Sequence, residues 1–226
     1  MAKDYSEDQL IQKSTAEFME QELGWKSIFA FDQEKLGKDG TLGRISYHET
    51  LLTRHLQAAL KKLNPWLTEK QLQECLERMT EHMSSQTLMQ INEQKYKYIR
   101  DGIPFKRTKS NGETEEIKAK VIDFASPDKN EFLCVREMWV YGSLYRRRAD
   151  IVGFVNGIPL LFMELKNHDV EVKDAFDLNY RDYLDTIPQL FFHNAFIMFS
   201  NGLEARVGTI DSKWEFFHEW KRLTEE

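Results

Sequence analysis

Asp150, Glu164 and Lys166 stand out as two carboxylates and an amine that an extended chain could bring together. Two carboxylates are hard oxygen donors of the kind Mg²⁺ prefers. In an extended chain alternate side chains share a face, so Glu164-Leu165-Lys166 sets an ammonium beside a carboxylate. A phosphodiester is a stable anion, and its hydrolysis asks for a polarising cation, an activated water and charge compensation in the transition state. These three residues are therefore a candidate nuclease centre, with Lys166 orienting the water or helping to deprotonate it. Charged residues make up 30% of the chain, so the triplet by itself is weak, and its competing reading is a strand-end ion pair.

The elements that must position these groups form a hairpin. Ile151, Val152, Phe154 and Val155 run up to Asn156-Gly157, and Leu160, Leu161, Phe162 and Met163 run away from it. Two apolar runs flanking Asn-Gly predict paired strands, both deeply buried. Ionisable groups at the ends of buried strands are costly unless they pair or hold a metal ion. The register supplies a check. A bare two-residue turn sets Asp150 opposite Met163 and points it away from Glu164. Bringing the two acids together requires a three-residue loop reaching Ile158 or a β-bulge nearby, because a one-residue slip exchanges a strand's faces.

Composition narrows the class. The 226 residues are 41% hydrophobic and 12% aromatic, which is the balance of a folded globular protein. No apolar run approaches a membrane span, and the start Met1-Ala2-Lys3-Asp4 lacks the apolar core of a signal peptide. A cytoplasmic protein without membrane contact is expected. Cys75 and Cys134 are far apart and outside any Cys-x-x-Cys spacing, so both are expected as reduced, buried thiols. The histidines show no metal-ligand spacing, and His168 reads as a surface loop residue. Leu36-Gly37-Lys38-Asp39-Gly40 lacks the spacing of a phosphate-binding loop, so no ATP site is visible.

A net charge of −6 argues mildly against a stand-alone DNA-binding domain. Local charge differs. Arg146, Arg147 and Arg148 form a basic cluster beside Asp150 and are candidates for contacting DNA. Lys95, Lys97, Arg100, Lys106, Arg107 and Lys109, interleaved with Tyr96, Tyr98 and Phe105, form a second.

Along the chain, residues 6–24 read as a helix capped by Ser6, with Leu10, Ser14, Phe18 and Leu23 as its stripe. Glu7 in its first turn complements the helix dipole or serves as an accessory acid. Residues 29–43 read as a polar connection. Helices follow over about 47–63, from a Thr68 cap to about 82, and from Ser85 to about 99. From about Gly102 the period changes to that of strands, and the core sheet is expected to begin there, giving a helical part of about 1–101 and a catalytic core of about 102–226. After the hairpin come a helix over 172–186, a buried strand over 195–200, a short strand near 206–210, and a final amphipathic helix over 214–223. On the helix over 172–186, Ala175, Phe176, Asn179, Tyr183 and Ile187 fall on one face, which makes Asn179 and Tyr183 either core residues or accessory groups near the site.

Taken together, Tyr145-Arg146-Arg147-Arg148-Ala149-Asp150-Ile151-Val152, Phe154-Val155-Asn156-Gly157-Ile158-Pro159-Leu160, Glu164-Leu165-Lys166-Asn167, Leu42-Gly43-Arg44, Leu63-Asn64-Pro65, Ile187-Pro188-Gln189-Leu190-Phe191 and Ser200-Asn201-Gly202 resemble the N-terminal nuclease region of the restriction (R) subunit of type I restriction enzymes. The resemblance runs over essentially the whole chain. It implies an α/β restriction-endonuclease-like core of the PD-(D/E)xK superfamily, a mixed central sheet flanked by helices with an N-terminal helical insertion. It implies Mg²⁺ ligated by Asp150 and Glu164, with Lys166 as the catalytic lysine, acting on double-stranded DNA without sequence recognition of its own. Ala149 stands where the superfamily name has Pro, and Asn179-x-x-x-Tyr183 falls where many relatives carry Gln-x-x-x-Tyr. The family's R subunit continues into ATP-hydrolysing motors and works with modification and specificity subunits, so the charged ending from Glu219 to Glu226 reads as a boundary ahead of a motor. A non-catalytic DNA-docking or subunit-assembly module and a repair nuclease of the same superfamily are the alternatives.

Overall fold

The computed structural model describes residues 7–108 and 112–221, with side chains from residue 11 onward. A seven-stranded mixed sheet, ordered β1-β4-β5-β6-β7-β8-β9, forms the centre. Its strands are β1 (Lys26–Phe29), β4 (Phe132–Tyr141), β5 (Arg146–Val155), β6 (Ile158–Leu165), β7 (Phe196–Ser200), β8 (Ala205–Gly208) and β9 (His218–Glu219). β1 pairs parallel with β4, β6 pairs parallel with β7, and the other neighbours are antiparallel. This is the mixed α/β arrangement of a restriction-endonuclease-like fold.

Adjacent residues of β5 bury on opposite faces, so both faces of the sheet are covered. On one, Ile151 joins Met163, Leu165 and Cys134 against Ala16 and Met19 of α1 (Glu7–Gln21). On the other, Val152 and Phe162 pack on Ala175, Tyr180 and Tyr183. These last belong to a continuous helical run over 172–186: α5 (Val172–Asp174), a π-helical segment (Ala175–Tyr180) and α6 (Arg181–Thr186). The π segment adds a residue to the turn. It brings Tyr180 as well as Tyr183 inward, and leaves Phe176 and Asn179 only partly buried.

The helical layer is built from α2 (Thr53–Leu63), α3 (Glu69–Thr80) and α4 (Leu88–Asp101). Thr68 with Gln71 and Thr87 with Gln90 form complete capping boxes, each satisfying two N-terminal backbone donors. α2 starts at Thr53 and not near Tyr47, because the preceding residues are used in sheet-like contacts. Tyr141 N–H bonds Tyr47 O at 3.0 Å, and Leu52 N–H bonds Gly157 O at 2.9 Å.

Three further expectations are corrected. α1 exists, but its buried face is Gln12, Ala16 and Met19, while Phe18 and Leu23 are exposed; the Ser6 cap lies outside the described residues. The core sheet does not begin after Gly102. β2 (Ile103–Thr108) and β3 (Thr114–Ala119) make a separate two-stranded sheet against α2, α3 and α4, and β1, from the stretch read as helical, joins the central sheet. The final helix is absent among the described residues. Trp214–Phe216 is one 3₁₀ turn, after which β9 extends the edge of β8. Phe217, 1% exposed, is seated over Gly208, where a Cβ would lie 2.6 Å from its ring. That seat and the unpaired edge of β8 outweigh the helical spacing of the aromatics.

Among the described residues no helix is long and apolar enough to cross a membrane. Cys75 and Cys134 are free and buried, as expected.

Candidate active site

The β5–β6 hairpin turns through Asn156 and Gly157 at φ 52° and 79°, the left-handed pair that a two-residue hairpin loop requires. Gly157 is needed for a second reason: a Cβ there would sit 2.4 Å from Leu52 O. Val155 faces Ile158 and Phe154 faces Pro159, but Gly153 faces Leu161 and Ile151 faces Met163. Leu160 is thus the extra residue of a bulge. Pro159 has no N–H for the ladder, and Leu160 O instead accepts from Ala195 N–H at 2.8 Å. Continuing the shifted register puts Asp150 opposite Glu164, the condition set by the sequence.

Asp150, Glu164 and Lys166 line one cleft of about 440 Å³, together with Gln12, Asn179 and Tyr183. Asp150 Oδ2 accepts from Leu165 N–H at 2.7 Å, and Oδ1 accepts from Gln12 Nε2 at 2.9 Å. Lys166 Nζ stands 3.2 Å from Glu164 Oε1. Glu164 is 2% exposed, and its Oε2 has no hydrogen-bond partner. Burial first, and then the Asp150 charge, raise the Glu164 carboxyl well above the ordinary carboxylate range, against the pull of Lys166. Such an arrangement is unfavourable until a positive charge enters.

A separate irregularity, without a shift of register, lies between β5 and the neighbouring strand β4. In β4 the main core takes Leu133 and Val135, then skips to Met138 and Val140; in β5 it takes Phe154 and Val152, then skips to Ala149. Both three-residue steps fall where Glu137 and Asp150 lie between paired positions. Glu137 adopts φ 56° and is 2% exposed. It lines the cleft and adds to the charge that raises Glu164.

Sequence reasoning missed Gln12 and Glu137. Each carried a faint signal: Gln12 is a polar residue in step with Ala16 and Met19, and Glu137 interrupts the apolar alternation of a ten-residue strand.

The other candidates are spread unevenly. Tyr183 hydroxyl donates to Arg148 O at 2.8 Å. Its own ionisation is pushed far up by burial and then by Glu164 and Asp150, so it acts as a fixed neutral donor. Asn179 borders the cleft. Glu7 opens α1, and its side chain lies outside the described residues. Arg146 stacks on Trp139, Arg147 is paired with Asp182, and Arg148 is paired with Glu137. His168 is exposed on the loop after β6 and bonds Asn167. In the second basic cluster Lys95 must be corrected. It is buried, with Nζ donating to the carbonyls of Arg78 at 2.6 Å and of Glu81, where it closes the C-terminal end of α3. Lys97, Arg100 and Arg107 are paired with nearby acids, and Lys109 lies outside the described residues.

Among the described residues no group of three or more His, Cys, Asp and Glu side chains could hold a metal ion. Two carboxylates are nevertheless enough for Mg²⁺, which keeps waters and takes phosphate oxygens in its remaining positions. The unpartnered Glu164 oxygen and the all-oxygen donor set fit such an ion.

Residues 4–216 match the family model described as type I restriction enzyme R protein N terminus. The chain is 29% identical over 209 residues to the type I restriction enzyme HindI endonuclease subunit of Haemophilus influenzae, covering 91% of this chain and 19% of that protein. It is 32% identical over 183 residues to the putative type I restriction enzyme MjaIXP endonuclease subunit of Methanocaldococcus jannaschii, covering 79% and 17%. A Staphylococcus aureus type I endonuclease subunit is 30% identical over 108 residues, 48% of this chain and 11% of its own length. The chain spans about a fifth of the length of the first two.

Proposed function

The chain belongs to the family of type I restriction enzyme R protein N termini, and from that premise we propose that it carries a Mg²⁺-dependent endonuclease centre for double-stranded DNA. Asp150 and Glu164 would hold the cation, and Lys166 would serve the attacking water. The observation that carries this reading is the Leu160 bulge, which turns Asp150 towards Glu164 and Lys166. A hairpin built for packing alone gains nothing from facing two carboxylates at its buried end, and it bears the cost of their repulsion.

The bound cation would polarise the phosphodiester and offset the two acidic charges. The chain's own groups do the rest. Leu165 N–H and Gln12 fix the plane of the Asp150 carboxylate. Tyr183, donating to Arg148 O, fixes the backbone of β5 two residues before Asp150. Lys166 Nζ, restrained by Glu164 Oε1 and partly exposed at 19%, is placed to orient a water and to hold or pass its proton.

The names of the relatives support extending the proposal to a larger assembly. In it the DNA target would be chosen by a specificity subunit, a modification subunit would take part, ATP-driven translocation would lie outside these residues, and the setting would be the cytoplasm. Lys166→Ala tests the nuclease reading: it should abolish Mg²⁺-dependent DNA cleavage by the assembled enzyme while leaving the melting temperature nearly unchanged. Cleavage equal to the parent would remove Lys166 from the chemistry.

A further inference from the structure

The three consecutive arginines at the start of β5 are held in three different ways. Arg147 gives Nε and Nη2 to Asp182 on α6, the latter at 2.8 Å, so its charge is matched at the helix. Arg146 is exposed and lies over the Trp139 ring at 5.5 Å. Arg148 places Nε 2.5 Å from Glu137 Oε2, a close charge pair without hydrogen-bond geometry, and its guanidinium lies 4.8 Å from the Phe31 ring and 5.7 Å from that of Trp139.

Glu137 is the unusual partner. It is 2% exposed, holds a left-handed backbone that non-glycine residues avoid, and neighbours Asp150 across the strand pair. It lines the cleft with Asp150 and Glu164, and Arg148 is the cation set against it. Arg148 is 37% exposed, so the remainder of its guanidinium reaches the cleft. No hydrogen bond among the described residues engages its two terminal amino groups, which form a fork matching two phosphate oxygens.

We propose that Arg148 is the arginine that grips a backbone phosphate of DNA in this cleft, and that Glu137 is its positioning residue. This rests on the nuclease reading, in which a strand passes Asp150 and Glu164. Withdrawing Arg148 from Glu137 would strand a buried charge, so Nε stays on Glu137 while the terminal nitrogens bridge to the phosphate. The guanidinium is then oriented before DNA arrives, and little side-chain freedom is lost on binding. It also offsets three acids that would otherwise repel a polyanion. Arg147, neutralised by Asp182, has no part in the grip.

The test is the affinity of the full chain for a short fluorescein-labelled duplex, read by anisotropy over a series of salt concentrations with Ca²⁺ present. Arg148→Ala should weaken binding about tenfold and lower the slope of log affinity against log salt by about one, as expected for one lost phosphate contact. Arg147→Ala should leave the slope unchanged. Arg148→Lys, which keeps the charge and the fold, should weaken binding without changing the slope. Glu137→Gln should weaken binding in the parent, yet add nothing in an Arg148→Ala background, a coupling that a merely structural role would not produce. Parent-like affinity and slope in Arg148→Ala, additive effects of the two substitutions, or no duplex binding by a parent that still binds Ca²⁺ would each overturn the proposal. A parent that binds the duplex but no Ca²⁺ would instead sink the nuclease reading on which the proposal rests, whatever the slope of Arg148→Ala.

Discussion

Gln12 on α1 donates a 2.9 Å hydrogen bond to Asp150 Oδ1, a residue 138 positions later. With Leu165 N–H on Oδ2, it fixes the carboxylate from both sides, so the first helix is part of the site and not only its cover. Second partners of this kind commonly set the affinity of a metal ligand. Gln12→Leu keeps the packing volume near Ala16 and Met19 but removes the donor. Affinity for Mn²⁺ should fall about tenfold, at a stability cost of about 1 kcal/mol. Calorimetric titration and urea unfolding measure the two effects.

Glu164 trades stability for cation binding. Its carboxylate is buried, faces the Asp150 charge and leaves Oε2 unpartnered. Glu164→Gln removes the charge and keeps the shape. In EDTA the variant should melt at a higher temperature than the parent, and Mg²⁺ should raise the melting temperature of the parent only. A variant that melts lower in EDTA would show the charge to be satisfied within the fold.

His193 should make the domain acid-sensitive. It is 4% exposed, with one ring nitrogen 2.8 Å from Met79 O and Nδ1 without a partner. Burial, aided by the charges of Lys95 and His82 and opposed by the Met79 hydrogen bond, pushes its pKa down to about 4. The unfolded chain takes up this proton near pH 6.5 and the folded chain does not. The contribution is therefore fully present above pH 6.5 and is lost as pH falls towards 4. Between pH 7 and 5 the loss is about 2 kcal/mol. Urea midpoints of the parent should drop over that interval more than those of His193→Gln, and equal drops would rule out the buried neutral imidazole.

What the sequence made legible was local. Thr68 as a helix cap and Asn156-Gly157 as a turn each name their own structure, because caps and hairpin turns are decided by a few adjacent residues. The bulge was legible as a requirement, since only a register shift could face Asp150 towards Glu164, but not as a position; that depended on Ala195 taking up Leu160 O. β1 could not be read because four residues show too little alternation, and it forms only by pairing with β4. The stripe of α1 failed for a related reason. Gln12 outranks the more apolar Phe18 for the buried side because Asp150 waits there as an acceptor. Lys95 reads as a surface cation until Arg78 and Glu81 turn their carbonyls to it.

The central claim is that Asp150 and Glu164 share one divalent cation beside Lys166. Isothermal titration of the chain with Mn²⁺ addresses it without depending on cleavage. A saturable site is expected, lost in Asp150→Ala and in Glu164→Gln but kept in Lys166→Ala, with each variant folded by circular dichroism. Absence of saturable binding in the parent, or binding that survives both carboxylate substitutions, would contradict the account.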